Sequence, residues 1–319
     1  MGLVVKFLII DSHKGNQSIP QNLHWLNADK LRKHLVSVGH EVNLIWSYPS
    51  VNDRIEGGYD CIIFNHASRY SYISDEWLKQ NSEAKLFYVT NEYNLGEPLV
   101  LWSWVKTQGK QFDVIANHEM SASKVVKRYV KTWNIVNLNT LIVEETPHAQ
   151  EHQFFSFDKQ NCIYYGSFRK DRVKYFQKYL TGEIVVSTHA KNRFKFEDIG
   201  ISGPFRDRID WAKDGLTLYK TLLYIEDVST HDNYNFLANR FYEALNYNVF
   251  PLFDVSCKKT LELSGYNIPD YALVDNPSQV MYITNDLPES STQHLNMWRT
   301  QALIEKKQVL DHITQLVTL

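Results

Sequence analysis

Two stretches carry the residue types needed to hold an anion. The first is Tyr165-Gly166-Ser167-Phe168-Arg169-Lys170-Asp171-Arg172, which follows directly on the apolar run Cys162–Tyr165. A strand that ends in Gly-Ser and opens a helix turns free backbone N–H groups toward a ligand. Arg169 and Arg172 add forked donors matched to phosphate oxygens. A solvated first helical turn explains the same residues equally well. The second stretch, Asp232–Leu245, contains Asn239-Arg240-Phe241-Tyr242-Glu243-Ala244. Arg240 and Glu243 are three apart and share a helical face, placed to read a phosphate and a ribose diol respectively. An ordinary surface ion pair worth a few tenths of a kcal/mol is the competing reading. Neither a Walker motif nor Gly-x-Gly-x-x-Gly is present, so phosphate binding would rest on arginines and a helix end.

Other clusters are less specific. Lys124, Lys127, Arg128 and Lys131 fall at i, i+3, i+4 and i+7 of a helix expected over Ser121–Lys131. Such a stripe suits a nucleic-acid backbone, or simply a solvated face. Lys191, Arg193 and Lys195 alternate with Phe194 and Phe196 in a loop-like stretch and offer a second basic edge. Trp102 and Trp104, near Tyr93, could stack an extrahelical base or belong to a core. His148-Ala149-Gln150-Glu151-His152 matches the His-x-x-Glu-His pattern of zinc peptidases. It follows Pro147 in a short polar stretch with no long helix and no third ligand downstream, so no metal is expected. His24, His66 and His118 have no ligand spacing.

The elements that must position these residues alternate between strand and helix. Strands are expected at Val4–Ile10, Glu41–Trp46, Cys61–Asn65, Lys85–Thr90 and Val114–Asn117, with a helix over Asn22–Val38. The alternation resumes with strands Cys162–Tyr165, Glu183–Ser187, Leu222–Ile225 and Val249–Phe253, and with helices Asp171–Leu180 and Phe236–Tyr247. Near-continuous apolar strands alternating with helices signal parallel sheets covered on both faces. The expected class is therefore α/β, with two doubly wound Rossmann-like domains facing a central cleft. Their expected bounds are 1–150 and 160–290, followed by a helix over 291–319 that could cross back to the first domain. Ligands of open α/β sheets bind beyond the carboxyl ends of the strands.

Composition narrows the classes. The chain has 319 residues, 44% of them hydrophobic, and 34 basic against 36 acidic groups give a net charge of -2. That argues against a wholly basic nucleic-acid coat protein. Residues 161–220 nevertheless hold 12 basic against 7 acidic groups, while 221–319 hold 6 against 12. Local sign governs anion capture, because fields are screened within about 8–10 Å in physiological salt. No apolar run approaches the roughly 20 residues of a membrane span, and Met1–Ile10 reads as a buried strand rather than a signal peptide. Cys61, Cys162 and Cys257 lie far apart and are expected to be buried and reduced. A monomer in the cytoplasm, without membrane attachment, is the expectation.

Taken together, Gly166-Ser167-Phe168-Arg169 after a strand and Arg240-Phe241-Tyr242-Glu243-Ala244 before another are similar to the bacteriophage DNA β-glucosyltransferases. The likeness runs from about Cys162 to Leu287, through Ile201-Ser202-Gly203-Pro204-Phe205 and Phe250–Asp254, and is collinear at Val4–Ile10, Gly39–Ile45 and Lys85–Thr90. It implies a GT-B fold and inverting transfer of a sugar from a UDP-sugar donor, UDP-glucose foremost. The implied acceptor is the hydroxymethyl group of a 5-hydroxymethylcytosine or 5-hydroxymethyluracil in double-stranded DNA. By the same resemblance Gly166, Ser167, Arg169, Arg172 and Arg240 hold the diphosphate, Glu243 the ribose, and Gly203 and Phe205 the uracil. Lys124, Lys127, Arg128 and Lys131 would meet DNA. Those enzymes carry an Asp after the strand matching Lys85–Thr90. Here Asn91 occupies that position and Glu92 follows, so Glu92 is the expected base, with Asp11 next. Transfer to a cell-surface glycan, or a non-catalytic nucleotide-sugar or DNA-binding protein, are the rival readings.

Overall fold

A computed structural model describes residues 4–11, 23–45, 57–65, 79–90, 94–95, 109–118, 121–122, 124–147, 160–211, 215–226 and 236–318. Two compact units emerge, one of Met1–Leu141 with Glu305–Leu319 and one of Ile142–Ile304.

In the first unit, strands β1 (Lys6–Asp11), β2 (Glu41–Ile45), β3 (Cys61–Asn65), β4 (Lys85–Thr90), β6 (Phe112–Ala116) and β8 (Val130–Ile135) form a parallel sheet in the order β2-β1-β3-β4-β6-β8. A separate pair joins β5 (Asn94–Leu95) to β7 (Ser121–Ala122). Successive side chains of a strand point to opposite faces. Leu8 and Ile10 accordingly enter one apolar cluster, with Ile62, Phe64 and Val114. Phe7 and Ile9 enter another, with Leu31 and Leu35 of helix α1 (Leu23–Ser37) and Val309, Leu310 and Ile313. Burial on both faces is why these strands read as unbroken apolar runs. Asp11, whose side chain lies outside the described residues, ends β1 opposite Asn65 of β3, where the strand order changes direction.

The second unit contains β9 (Gln160–Tyr165), β10 (Val185–Ser187), β11 (Phe205–Arg206), β12 (Tyr219–Tyr224), β13 (Phe250–Asp254) and β14 (Leu273–Val274), with helices that include α3 (Val173–Tyr179), α6 (Lys258–Ser264) and α7 (Pro277–Asn285). Their order, β11-β10-β9-β12-β13-β14, is the 3-2-1-4-5-6 order of a dinucleotide-binding sheet. Its switch point lies between β9 and β12. Helix α8 (Ser290–Thr318) supplies Leu295, Trp298 and Ala302 to the core of this unit. Among the described residues no helix is long and apolar enough to cross a membrane. All three cysteines are buried and free of disulfides.

Two expectations fail here. The helix over Ser121–Lys131 does not form: only α2 (Lys124–Lys127) is helical, Arg128 lies in a turn and Lys131 lies on β8. The β-branched Val130, Thr132 and Ile135 instead extend the sheet at its edge beside Phe112–Ala116. Lys124, Lys127, Arg128 and Lys131 are all exposed, but they do not make one helical stripe. Conversely, the loop-like Lys191–Lys195 stretch is helix α4 (Ala190–Glu197), whose first turn is capped by His189 Nδ1 accepting from Lys191 N at 3.2 Å. Phe196 is buried among Phe168, Phe176 and Phe205 while Phe194 is exposed. Arg193 pairs with Asp207 at 2.8 Å, which leaves Lys191 and Lys195 as the exposed cations of that edge.

Candidate functional site

The Gly-Ser-Phe-Arg loop leaves the carboxyl end of β9 at the switch point of the second sheet. Cys162, Ile163 and Tyr164 are wholly buried, so the strand is fixed before the loop begins. Gly166 then adopts φ 148°, which a side chain would strain. Its N–H donates to Ser187 O at 3.1 Å and its carbonyl accepts from Thr188 Oγ1 at 2.8 Å. Phe168 turns inward against Phe176 and Phe196, with Ser167 and Arg169 exposed on either side of it. Arg169 is extended at the entrance to the 3-10 turn Lys170–Arg172, which no side chain caps. Among the described residues its guanidinium has no ion-pair partner.

Arg240 arrives from helix α5 (Asn239–Asn246), whose first turn is also uncapped by any side chain. The next residue, Phe241, is buried against Tyr266 and Trp298, with ring centroids at 4.8 and 5.8 Å. Burying Phe241 anchors the turn and aims its neighbour. Asn248, with φ 51°, ends the helix. Arg240 Nη1 donates to Ile225 O at 2.9 Å and to Glu226 Oε1 at 2.7 Å. Arg172 Nη2 donates to Glu226 Oε2 at 2.6 Å. One carboxylate just beyond β12 therefore holds two guanidiniums, and all three side chains are largely buried, at 4% exposure for Glu226, 6% for Arg172 and 15% for Arg240. Two cations on one anion leave a net positive charge at a place where desolvation makes fields strong.

Glu243, one turn on from Arg240, is 3% exposed. It makes no ion pair with Arg240 among the described residues; the Tyr165 hydroxyl donates to its Oε2 in a short hydrogen bond. Burial pushes the Glu243 carboxyl up to about 7, against the lowering effects of that hydroxyl and of Arg240. The surface ion pair considered from spacing is absent, and a buried acceptor stands in its place. Tyr165 is fixed in turn by Trp211, with centroids 5.7 Å apart.

Gly203 and Phe205 sit at the edge strand β11, where Val186 pairs with Phe205. Gly203 has φ 92°, and a Cβ there would lie 2.7 Å from Phe205 N, so glycine alone fits. Phe205 is half-buried against Phe196, which also packs on Phe168, so one aromatic row joins this edge to the Gly-Ser-Phe-Arg loop.

The structure thus brings Gly166, Arg172, Arg240 and Glu243 to the ends of β9 and β12, with Arg169 on the loop beside them. Sequence reasoning missed Glu226 as their organiser, although a carboxylate directly after an apolar strand is a visible signal. Arg172, expected in a phosphate clamp, is buried on Glu226 rather than presented freely. Glu92, Tyr93, Trp102, Trp104, His66 and His148–His152 lie outside the described residues, as does the side chain of His24. His118 is buried.

No protein-family model and no curated protein matches the chain. Solved structures do. A T4 phage BGT mutant in complex with UDP-glucose has a TM-score of 0.66 at 15% identity, covering 98% of this chain and 100% of that one. T4 phage BGT in complex with UDP and Mn2+ gives 0.63 at 16% identity, with the same coverage. The DNA-modifying enzyme β-glucosyltransferase with and without uridine diphosphoglucose gives 0.64 at 16%, again over 98% and 100%. The chain has the fold of these structures, a GT-B α/β architecture spanning nearly its whole length.

Proposed function

We propose that the protein is a glycosyltransferase that binds a UDP-sugar on its second unit. The observation that carries this reading is the convergence of Arg172 and Arg240 on Glu226 beside Gly166, at the switch point of a dinucleotide-type sheet. The T4 structures of the same fold were solved with UDP and with UDP-glucose. Departure of UDP from the anomeric carbon develops negative charge on the β-phosphate. Fixed guanidiniums stabilise that charge without reorganising. In this reading Arg169, Arg172 and Arg240 face the diphosphate with Gly166 and Ser167, Glu243 accepts from the ribose hydroxyls, and Gly203 and Phe205 border the uracil.

The reaction we propose is inverting transfer to the hydroxymethyl group of a modified pyrimidine in double-stranded DNA, in an infected cell's cytoplasm. The base is Glu92, with Asp11 at the end of β1 as the alternative. Exposed Lys124, Lys127, Arg128 and Lys131 support contact with phosphates, now from a short helix, a turn and an edge strand. Incubation with labelled UDP-glucose and hydroxymethylated duplex DNA tests the reading. Label in the DNA is the expected result. UDP release without labelled DNA would overturn the acceptor, and UDP binding without release would overturn the enzyme.

A further inference from the structure

Tyr164 is wholly buried near the carboxyl end of β9, yet among the described residues its hydroxyl has no hydrogen-bond partner. An unmet buried hydroxyl is destabilising, so a Phe would serve the core better. The position of the orphan is informative. A Cβ built on Gly166 would lie 3.5 Å from Tyr164 Oη and 3.5 Å from Arg240 Nη2, with nothing nearer beyond the glycine's own chain neighbours. The Arg240 guanidinium also sits over the Tyr164 ring, 5.7 Å from its centroid. The absent side chain of Gly166 therefore leaves a space onto which one neutral and one charged donor converge. Arg240 reaches it from the first turn of a helix that no side chain caps.

We infer that Tyr164 is a further donor-binding residue, whose hydroxyl donates to a diphosphate oxygen lodged over Gly166 and shared with Arg240. This rests on the proposed UDP-sugar site and adds to it a neutral donor hidden under the loop. An oxygen seated there satisfies the hydroxyl that the protein leaves unpaired. A neutral donor also binds the diphosphate without adding to the repulsion between Arg172 and Arg240.

The test is Tyr164→Phe, which removes only the hydroxyl, with UDP and uridine as titrants and Arg240→Ala as control. The expected result is UDP affinity lowered about tenfold or more, uridine affinity unchanged, and thermal stability without ligand equal to or above that of the wild type. A purely structural tyrosine would give the reverse, a lower melting temperature with UDP affinity intact, and that outcome overturns the inference. Equal loss of UDP and uridine affinity also overturns it, since the contact would then not be to phosphate. If Arg240→Ala binds UDP as the wild type does, the donor site itself is misplaced; if Arg240→Ala weakens UDP and Tyr164→Phe does not, only the role of Tyr164 falls.

Discussion

Replacing Glu226 by Gln separates what the two buried arginines do for the fold from what they do for a ligand. The wild-type carboxylate gives one oxygen to each guanidinium, at 2.6 and 2.7 Å. Gln keeps the volume but offers one carbonyl oxygen, and its amide nitrogen, itself a donor, faces the other arginine. Removing one partner of a buried ion pair costs about 3–5 kcal/mol, because an uncompensated charge stays behind. One retained hydrogen bond places Glu226→Gln near the lower end, about 3 kcal/mol. For a cooperative unit of this size that is roughly 6–12 °C in melting temperature. The second arm repeats the thermal melt with saturating UDP. If both guanidiniums face the diphosphate, its oxygens replace the lost carboxylate, so UDP should raise the melting temperature of Glu226→Gln by several degrees more than that of the wild type. A melting temperature within a degree or two of wild type would refute the anchoring role. A large loss that UDP does not recover would show that the arginines only brace the sheet.

Four more perturbations bear on the site. Arg169→Ala should weaken UDP binding by about 2 kcal/mol, or some thirtyfold, as expected for a lost charge-assisted hydrogen bond, without changing stability; calorimetric titration decides, and unchanged affinity removes Arg169 from the clamp. Glu243 keeps a proton in the folded state up to about pH 7 that it loses near 4.5 when unfolded, so its contribution to stability is full below pH 4.5 and is lost as pH rises to about 7. The slope sums to about 3 kcal/mol and should vanish in Glu243→Gln, and UDP-glucose affinity should rise with pH over the same window as the ribose hydroxyls bind the carboxylate; a flat wild-type profile would count against both. Gly203→Ala should cost at least 1–3 kcal/mol of stability, because its Cβ meets Phe205 N at 2.7 Å in a backbone conformation that side chains avoid; chemical denaturation measures it. Glu92→Gln should abolish transfer and spare UDP binding, whereas robust turnover would move the base to Asp11.

Much of this fold was legible because its central strands are buried on both faces. Cys61–Asn65 and Lys85–Thr90 have the bounds expected from apolar runs alone, since every position in such a strand wants the same kind of residue. Val130–Ile135 was hidden for the opposite reason. It is an edge strand, partly or fully exposed at every position, so its Lys and Asn residues imitate a helix surface. Helix Ala190–Glu197 was missed because its alternating Lys, Arg and Phe residues have the period of a strand. Its three-dimensional setting overrides that pattern by burying Asn192 and Phe196, four apart, and leaving Phe194 in water.

The site divides along a similar line. Gly166, Arg169, Arg240 and Glu243 could be singled out because their chemistry is local, a glycine and forked donors at strand and helix ends. What spacing could not supply was the pairing. Arg172 and Arg240 are 68 positions apart in the chain, and only the 3-2-1-4-5-6 strand order sets β12 beside β9, so that Glu226 lies between them. The same order explains why Glu243 is paired with Tyr165 and not with Arg240 one turn away. Once Arg240 is committed to Glu226 and Ile225 O, the neighbouring strand end offers the nearest donor to a carboxylate that burial would otherwise leave unmet. A helix pair that looks like a surface salt bridge thus becomes two separate buried contacts, a cation turned toward the Gly166 loop and an acceptor set behind it. Under the proposed function, that separation suits a ligand carrying a diphosphate at one end of a ribose, because an Arg240–Glu243 pair would have neutralised the two groups against each other.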